Sequence, residues 1–289
     1  MLLSIILPTH NRATLLPRSI NSVLAQTDQQ WELIVVDDGS TDNTRAVVTG
    51  FADERIRYVH QENRQLNGAR NTGVANARGT YTGFLDDDDE FLPEHLARLR
   101  HAIEIGNGRH DIYRSGEIMR RGEKETPGVN YRNGEDILPQ LWTHPTGMFG
   151  MLIRTDILRD HPFEEAHLLL DDFLWLNKVL PDLDVQQIEA HTAVVNLHPE
   201  QRSATYLNDE LLQQNIARLA EAYNLPGVSE RVPFDAYQAQ IFHQYVHYSR
   251  QLSRKGKNIK ALQMWRKGLS YATVDDAVEM AKTLGKVFF

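Results

Sequence analysis

Four adjacent aspartates, Asp86, Asp87, Asp88 and Asp89, sit inside the segment FLDDDDEFLP. Neighbouring carboxylates repel one another, so such a run calls for compensation. A hard divalent cation would supply it, because Mg²⁺ and Mn²⁺ take oxygen ligands and can bridge protein carboxylates to a diphosphate. On an extended chain, side chains two apart point the same way. Asp86 and Asp88 can therefore face one cation while Asp87 or Asp89 faces elsewhere. The plain alternative is a solvated turn capping the next helix, a role that suits Asp89 best. Two more acidic clusters invite the same question. Asp37 and Asp38 lie in VVDDGS, where an Asx turn before Gly39 would also explain them. Asp171 and Asp172 open the run DDFLWLNKVL, where a helix dipole alone favours carboxylates.

These clusters need a scaffold, and the first half of the chain supplies one. LLSIILP and WELIVV are continuous β-rich apolar runs, as in strands buried on both faces. IRYVHQ and TYTGFLD read as two further strands, and helical spacing separates all four. Alternating strand and helix implies right-handed βαβ units and a mostly parallel sheet. The polar clusters Thr9–Arg12, Asp37–Ser40 and Asp86–Asp89 each follow a strand. In a doubly wound sheet ligands bind at the carboxyl ends of strands, so the three clusters should share one edge.

Further along, YRSGEIMRRGEKETPGV suggests a hairpin, TGMFGMLIRTDIL a strand passing into a helix, and TAVVNLHP a late strand ending at His198. Beyond about Asn208 the pattern is wholly helical. The aromatic stripe Phe234, Tyr237, Tyr245, Tyr248 fits a helix core better than a sugar platform. Helices are also expected around Ile259–Leu269 and Val274–Leu284.

Composition narrows the function classes. The 289 residues contain no cysteine, which excludes disulfides, thiolate metal sites and cysteine nucleophiles. The net charge of −8 disfavours a general nucleic-acid surface. The N-terminal apolar run is short, lacks a basic leader and stops at Pro8, so it reads as a strand rather than a signal peptide. With no apolar stretch of about 18 residues, a cytoplasmic location is expected. Charge is unevenly spread: residues 254–289 hold eight Lys/Arg against three Asp/Glu. That basic end is either a solvated helix face or, through Lys255, Lys257, Lys260, Arg266, Lys267, Trp265 and the terminal VFF, a peripheral contact with an anionic membrane.

Neither G-x-G-x-x-G nor a P-loop follows the first strand. Instead SIILPTHNR, ELIVVDDGSTDNT, ENRQLNGARNTGVANARGTYTGFLDDDDEFLP and LDDFLWLNKV occur in order, and together they resemble family 2 glycosyltransferases of the GT-A fold over roughly residues 1 to 205. The resemblance implies an α/β fold, a GT-A-type Rossmann-like, mostly parallel sheet flanked by helices. It implies a glycosyltransferase domain over 1–205, followed by a helical C-terminal extension over 206–289 that shapes an acceptor site or mediates self-association. It further implies roles for individual residues. Asp38 would accept a hydrogen bond from the nucleotide base, lined by Pro8 and Thr9, with Arg70 beside the base or diphosphate. Asp88 would bind Mn²⁺ or Mg²⁺ directly, supported by Asp86, with Asp87 near the ribose. His198 falls where many members carry a histidine that reaches the metal or diphosphate, although Asn196 stands where arginine or tyrosine is frequent. Asp172 matches the catalytic base, preceded here by Asp171 rather than glutamate. The Q-x-x-R-W segment of processive members is absent, which disfavours polymer synthesis.

The implied reaction is inverting, metal-dependent transfer of one sugar from a nucleotide donor, a UDP-sugar by preference, to a hydroxyl of a saccharide or lipid-linked saccharide in polysaccharide or glycoconjugate assembly. The chemistry is consistent with the residues. A cation neutralises the departing diphosphate, and a carboxylate takes the proton of the attacking hydroxyl. Desolvation by the apolar HLLL ahead of Asp171 would make Asp172 more basic. Two other classes stay open. A sugar nucleotidyltransferase uses a related fold but carries a Gly-rich segment and a lysine after the first strand, and LPTHNR has neither. A non-catalytic nucleotide-sugar-binding protein would keep the metal edge without a working base.

Overall fold

The computed structural model describes residues 1–165, 170–198, 208–273 and 276. The chain divides into two compact units. The first comprises 1–135, 146–171 and 182–198, and the second 136–145, 172–181 and 199–289. The expected boundary at 205/206 lies outside the described residues. So do most of HLLL and most of the helix expected over Val274–Leu284.

The first unit holds a nine-stranded sheet in the order β3-β2-β1-β4-β8-β6-β9-β5, with β7 paired to β6. Its parallel half is β3 (Ile56–Gln61), β2 (Trp31–Asp38), β1 (Leu3–Thr9) and β4 (Tyr81–Phe84). Every residue of β1, β2 and β4 is buried, as the apolar runs of β1 and β2 require. β8 (Met151–Arg154) then joins β4 antiparallel and reverses the direction of the sheet. β6 (Ile112–Arg121) forms the expected hairpin with β7 (Lys124–Pro127). β9 (Val185–Asn196) lies parallel to β6 and antiparallel to the two-residue β5 (Glu90–Phe91).

Helices α1 (Leu16–Leu24), α2 (Thr44–Thr49), α3 (Gln65–Asn76), α4 (His95–Ile105) and α6 (Thr155–Asp160) belong to this unit. Pro17 sits in the first turn of α1, where its missing N–H costs nothing. Leu16, Ile20 and Val23 of that helix are fully buried and share one core with Ile5 of β1 and Leu33 and Val35 of β2. At the amino edge of the sheet, Ser4 Oγ, the Arg78 amide and Arg57 Nη1 all donate to the buried Glu32, at 2.7, 2.6 and 2.9 Å. Burial opposes the Glu32 charge, but these donors outweigh it and hold the carboxyl below its usual value. Gly79 is required beside this network, because a Cβ there would stand 2.6 Å from the Ser4 amide nitrogen.

His95 opens α4 in full burial. Its ring stacks on Phe91 at 4.0 Å and its Nδ1 lies 2.8 Å from Thr192 Oγ1. Burial pushes its pKa down to about 3. The unfolded chain, with an ordinary value near 6.5, binds a proton that the folded chain refuses. This contribution is fully present above about pH 6.5 and is lost as pH falls, at roughly 1.4 kcal/mol per unit. Urea unfolding at pH 7 and pH 5 should therefore lose about 2 kcal/mol more in wild type than in His95→Gln. Equal losses would show that His95 does not titrate on unfolding.

The second unit is helical: α5 (Ile137–Thr143), most of α7 (Asp171–Val179), α8 (Asp209–Tyr223), α9 (Phe234–Arg254) and α10 (Asn258–Gly268). Trp142 of α5 is its hub. The indole Nε1 donates to Asn177 Oδ1 at 2.7 Å, Gln240 Nε2 donates to the Trp142 carbonyl at 2.7 Å, and Phe173 meets the indole edge-on. Periodicity alone did not reveal that α5 and α7 cluster with the C-terminal helices, because the residues that join them are far apart in sequence. Of the aromatic stripe, Tyr245 and Tyr248 are buried, whereas Phe234 is exposed at the helix start. Among the described residues no helix is long and apolar enough to cross a membrane.

Candidate active site

The parallel half of the sheet places three of the polar clusters together. Thr9 ends β1 in register with Asp37 of β2, and Ile6 of β1 is in register with Phe84 of β4. The residues just beyond these strands therefore leave the sheet on one edge, as the topology predicted. Contacts across that edge are direct. Thr9 Oγ1 donates to Asp87 Oδ2 at 2.8 Å, and Arg12 Nη1 donates to Asp88 Oδ2 at 3.2 Å. Pro8 and Thr9 are both buried in β1.

The two aspartates of β2 differ. Asp37 Oδ1 accepts from the Ser40 amide at 2.8 Å and its Oδ2 from Tyr58 Oη at 2.5 Å. It is thus the Asx turn that builds the loop, with Gly39 at φ +78° supplying the left-handed residue. Asp38 is buried, and its Oδ1 accepts from Gln61 Nε2 at 2.6 Å and from the Arg64 amide at 2.8 Å. Its carbonyl lies 2.7 Å from His10 Nδ1. Both side-chain bonds fall on Oδ1, which orients the carboxylate and leaves its second oxygen for another donor.

The four aspartates after β4 are unequal. Asp86 has 45% of its side chain exposed and lies 3.9 Å from Arg70 Nη2. Arg70 is buried on α3, with its guanidinium 5.5 Å from the rings of both Phe84 and Phe163. Asp87 is half-buried; burial first, opposed by the Thr9 bond, pushes its carboxyl up to about 7. Asp88 shares its Oδ2 between Arg12 and His198, whose Nε2 lies 3.0 Å away. Asp89 corrects an expectation. It caps no helix: it is buried, and its Oδ1 accepts from the Asn196 amide at 2.8 Å. Burial and then the Asp86 charge raise its pKa. α4 begins after Glu94, with no side-chain cap bond.

The pairing of β5 with β9 explains how His198, 110 positions away, reaches Asp88. Glu90 is opposite Val194. Continuing that antiparallel register sets Asp88 opposite Asn196, with His198 two residues on. Asn196 fixes this junction, because its Nδ2 donates to the Asp88 carbonyl at 2.9 Å and to Glu90 Oε1 at 3.1 Å. Sequence reading did not foresee the arginines that offset the acidic run. Arg18 donates to the Asp88 carbonyl and lies 3.5 Å from Glu90, and Arg120 Nη1 donates to Glu90 at 2.8 Å. Only Arg12, in the THNR stretch after β1, left a signal by lying in the same polar cluster as Thr9.

Among the described residues no group of three His, Asp or Glu side chains is arranged to hold a metal. Two donors do converge, Asp88 Oδ2 and His198 Nε2 at 3.0 Å. Ligands each about 2.1 Å from one ion and at right angles stand about 3.0 Å apart, so this pair fits two adjacent positions on Mn²⁺ or Mg²⁺. The carboxylate oxygen suits either ion, and open positions would remain for diphosphate oxygens. Arg12 shows that the same oxygen already attracts a cation.

Asp171 and Asp172 open α7, both partly exposed. Leu170 before them has φ +58°, a left-handed conformation that costs a branched side chain roughly 1–2 kcal/mol. Asp172 is grouped with the second unit.

Known proteins are similar to this chain in sequence and in fold. A β-1,3-glucosyltransferase of Campylobacter jejuni, named for GalNAc(5)-diNAcBac-PP-undecaprenol, is 32% identical over 61% of this chain and 59% of its own length. The Escherichia coli enzyme WfgD, a UDP-Glc:α-D-GlcNAc-diphosphoundecaprenol β-1,3-glucosyltransferase, is 32% identical over 65% of this chain and 73% of its own. An uncharacterized glycosyltransferase of Nostoc is 45% identical, but over only 34% of this chain and 32% of its own. The chain thus matches between about a third and three quarters of these relatives' lengths. Among solved structures, TarS of S. aureus in complex with UDP-GlcNAc superposes with a TM-score of 0.64 over 99% of this chain and 80% of that one, at 18% identity. The mannosyltransferase PcManGT of Pyrobaculum calidifontis, in complex with GDP-Man and Mn²⁺, gives 0.62 over the same shares at 16% identity. These likenesses establish the GT-A glycosyltransferase fold. The model of the family described as Glycosyl transferase family 2 matches residues 4–159, which carry Thr9, Asp38, Arg70 and the Asp86–Asp89 run, and the chain belongs to that family.

Proposed function

We propose that this protein transfers a single sugar from a nucleotide-sugar to a hydroxyl of a lipid-linked saccharide, with inversion and with a divalent cation. The observation that carries the reading is the return of His198 to Asp88 on the edge where Thr9 and Asp38 also lie. In this reading Asp38, Pro8 and Thr9 hold the nucleoside, Asp87 serves the ribose, and Arg70 stands beside the diphosphate. Asp88 and His198 hold Mn²⁺ or Mg²⁺, with Asp86 in support. The cation would neutralise charge on the departing diphosphate. Asp172 would take the acceptor hydroxyl proton as its oxygen bonds to the anomeric carbon, while the bond to the diphosphate oxygen breaks.

A UDP-sugar is favoured because WfgD is named for UDP-Glc and TarS was solved with UDP-GlcNAc; PcManGT, solved with GDP-Man, keeps GDP as the second candidate. A lipid-diphosphate acceptor is favoured because both β-1,3-glucosyltransferase relatives are named for undecaprenyl-diphosphate-linked saccharides. We assign the reaction to surface polysaccharide or glycoconjugate assembly, at the cytoplasmic face of the membrane. The test is a donor screen that reads released UDP, GDP or dTDP with a lipid-diphosphate saccharide, with and without Mn²⁺. Metal-dependent release of UDP that requires acceptor is the expected result. Formation of nucleoside triphosphate and sugar 1-phosphate from the donor on addition of pyrophosphate, with no acceptor needed, would point to nucleotidyl transfer instead.

A further inference from the structure

The basic end of the chain resolves into a specific surface. Residues 254–267 hold six Lys/Arg and no Asp or Glu. The turn from α9 into α10 exposes all of Arg254 through Ile259. Ile259 is 80% exposed, the most exposed of the large apolar side chains among the described residues, and it lies between Lys257 and Lys260. Helical spacing puts Gln263 and Arg266, both exposed, on the same face of α10. The opposite face is occupied: Trp265 is buried and packs with Phe242 and Val246. This removes Trp265 from the residues first considered for a membrane contact and leaves Ile259 in its place. Beside the turn lies an open cleft of about 490 Å³, lined by Lys255, Lys257, Lys260, Tyr248, Asp209 and Glu210 among others. Lys260 Nζ donates to Asp209 Oδ2 at 2.6 Å, and Tyr248 Oη to Asp209 Oδ1 at 2.7 Å, so that lysine is already neutralised. No described carboxylate pairs with Lys255 or Lys257.

We propose that the α9–α10 turn docks the protein on an anionic phospholipid surface. Lys255, Lys257 and Arg266 would meet lipid phosphates, and Ile259 would enter the acyl boundary. Charge selects this occupant. The chain carries −8 overall, so an anionic bilayer repels it except through a local cationic face. The isoleucine separates a bilayer from a soluble polyanion: a polyanion gains nothing from an exposed aliphatic side chain, whereas a bilayer buries it. The inference goes beyond the transfer reaction and stands whether or not the donor assignment holds, because its readout is membrane binding.

Flotation of the full chain with phosphatidylcholine vesicles, with and without phosphatidylglycerol, is the test. Wild type should float with the anionic vesicles only, and high salt should release it. Each lysine removed should weaken binding about fivefold, so Lys255→Gln with Lys257→Gln should weaken it roughly 30-fold. Ile259→Asp should also release the protein at unchanged ionic strength. All three positions are exposed, and unchanged melting would confirm that the variants fold. Equal recovery from neutral and anionic vesicles would overturn the proposal, as would anionic binding that survives Ile259→Asp. Self-association lost in Ile259→Asp, with no vesicle binding by wild type, would overturn it too and assign the face to a second copy of the chain.

Discussion

Asp88→Ala should abolish Mn²⁺-dependent tightening of UDP binding, the largest single-residue binding effect expected for this protein. The carboxylate is the one member of the acidic run that meets a histidine among the described residues, with His198 Nε2 and Arg12 Nη1 converging on the same oxygen. If a cation bridges that oxygen to a diphosphate, removal of the carboxylate deletes a charged ligand rather than a hydrogen bond. A loss of at least about 10²-fold in metal-dependent affinity follows, on the order of 3 kcal/mol for charged groups. Calorimetry with UDP, with and without Mn²⁺, measures it directly. Because Asp88→Ala also leaves Arg12 and His198 without their shared carboxylate, Asp88→Asn is the companion variant. It keeps the shape and should still lose the metal dependence. Metal-independent UDP binding should persist in both, since Asp38 and Arg70 are held by other partners. Unchanged metal dependence in Asp88→Asn would remove Asp88 from the site.

How much of this could be read from the residues depends on the length scale of each interaction. The parallel strands were legible because burial on both faces forces continuous apolar runs, and β1, β2 and β4 are buried throughout. Their ends, and so Thr9, Asp38 and Asp86–Asp88, followed from strand direction alone. Asp89 was misread because local chemistry offers a helix cap, whereas its real partner is a backbone amide 107 positions away. β5 has only two residues, too few to leave a periodic signal, yet it aligns β9 and delivers His198. Arg18 and Arg120 were invisible for the same reason: each reaches Glu90 or Asp88 only after the sheet has closed. Trp265 read as a surface aromatic among cations, but its helical neighbours Ala261 and Gly268 are the buried ones, and they turn the indole inward. The general pattern is that strand interiors and turn types announce themselves, while junctions between distant strands do not.

Asp172→Asn should leave donor binding intact and lower transfer about 10²–10⁴-fold, the range a general base contributes. The substitution keeps the size of the side chain and its capacity to accept a hydrogen bond, so a role confined to the first turn of α7 would cost only about a few tenths of a kcal/mol in stability. Asp171→Asn is the matched control, one position earlier in the same turn. If Asp172 takes the acceptor proton, only its variant loses transfer, kcat falls and the KM for donor holds. The left-handed Leu170 immediately before this turn agrees with a side chain whose direction is held at a cost in backbone energy. The proposed inversion makes a second readout available. One base and one displacement produce the opposite anomer, so NMR of the product should show a β-linkage from an α-linked donor. Residual transfer in Asp172→Asn should give that same anomer, more slowly. Equal losses in the two variants would make the effect one of helix placement, and undiminished transfer in Asp172→Asn would move the base to another residue.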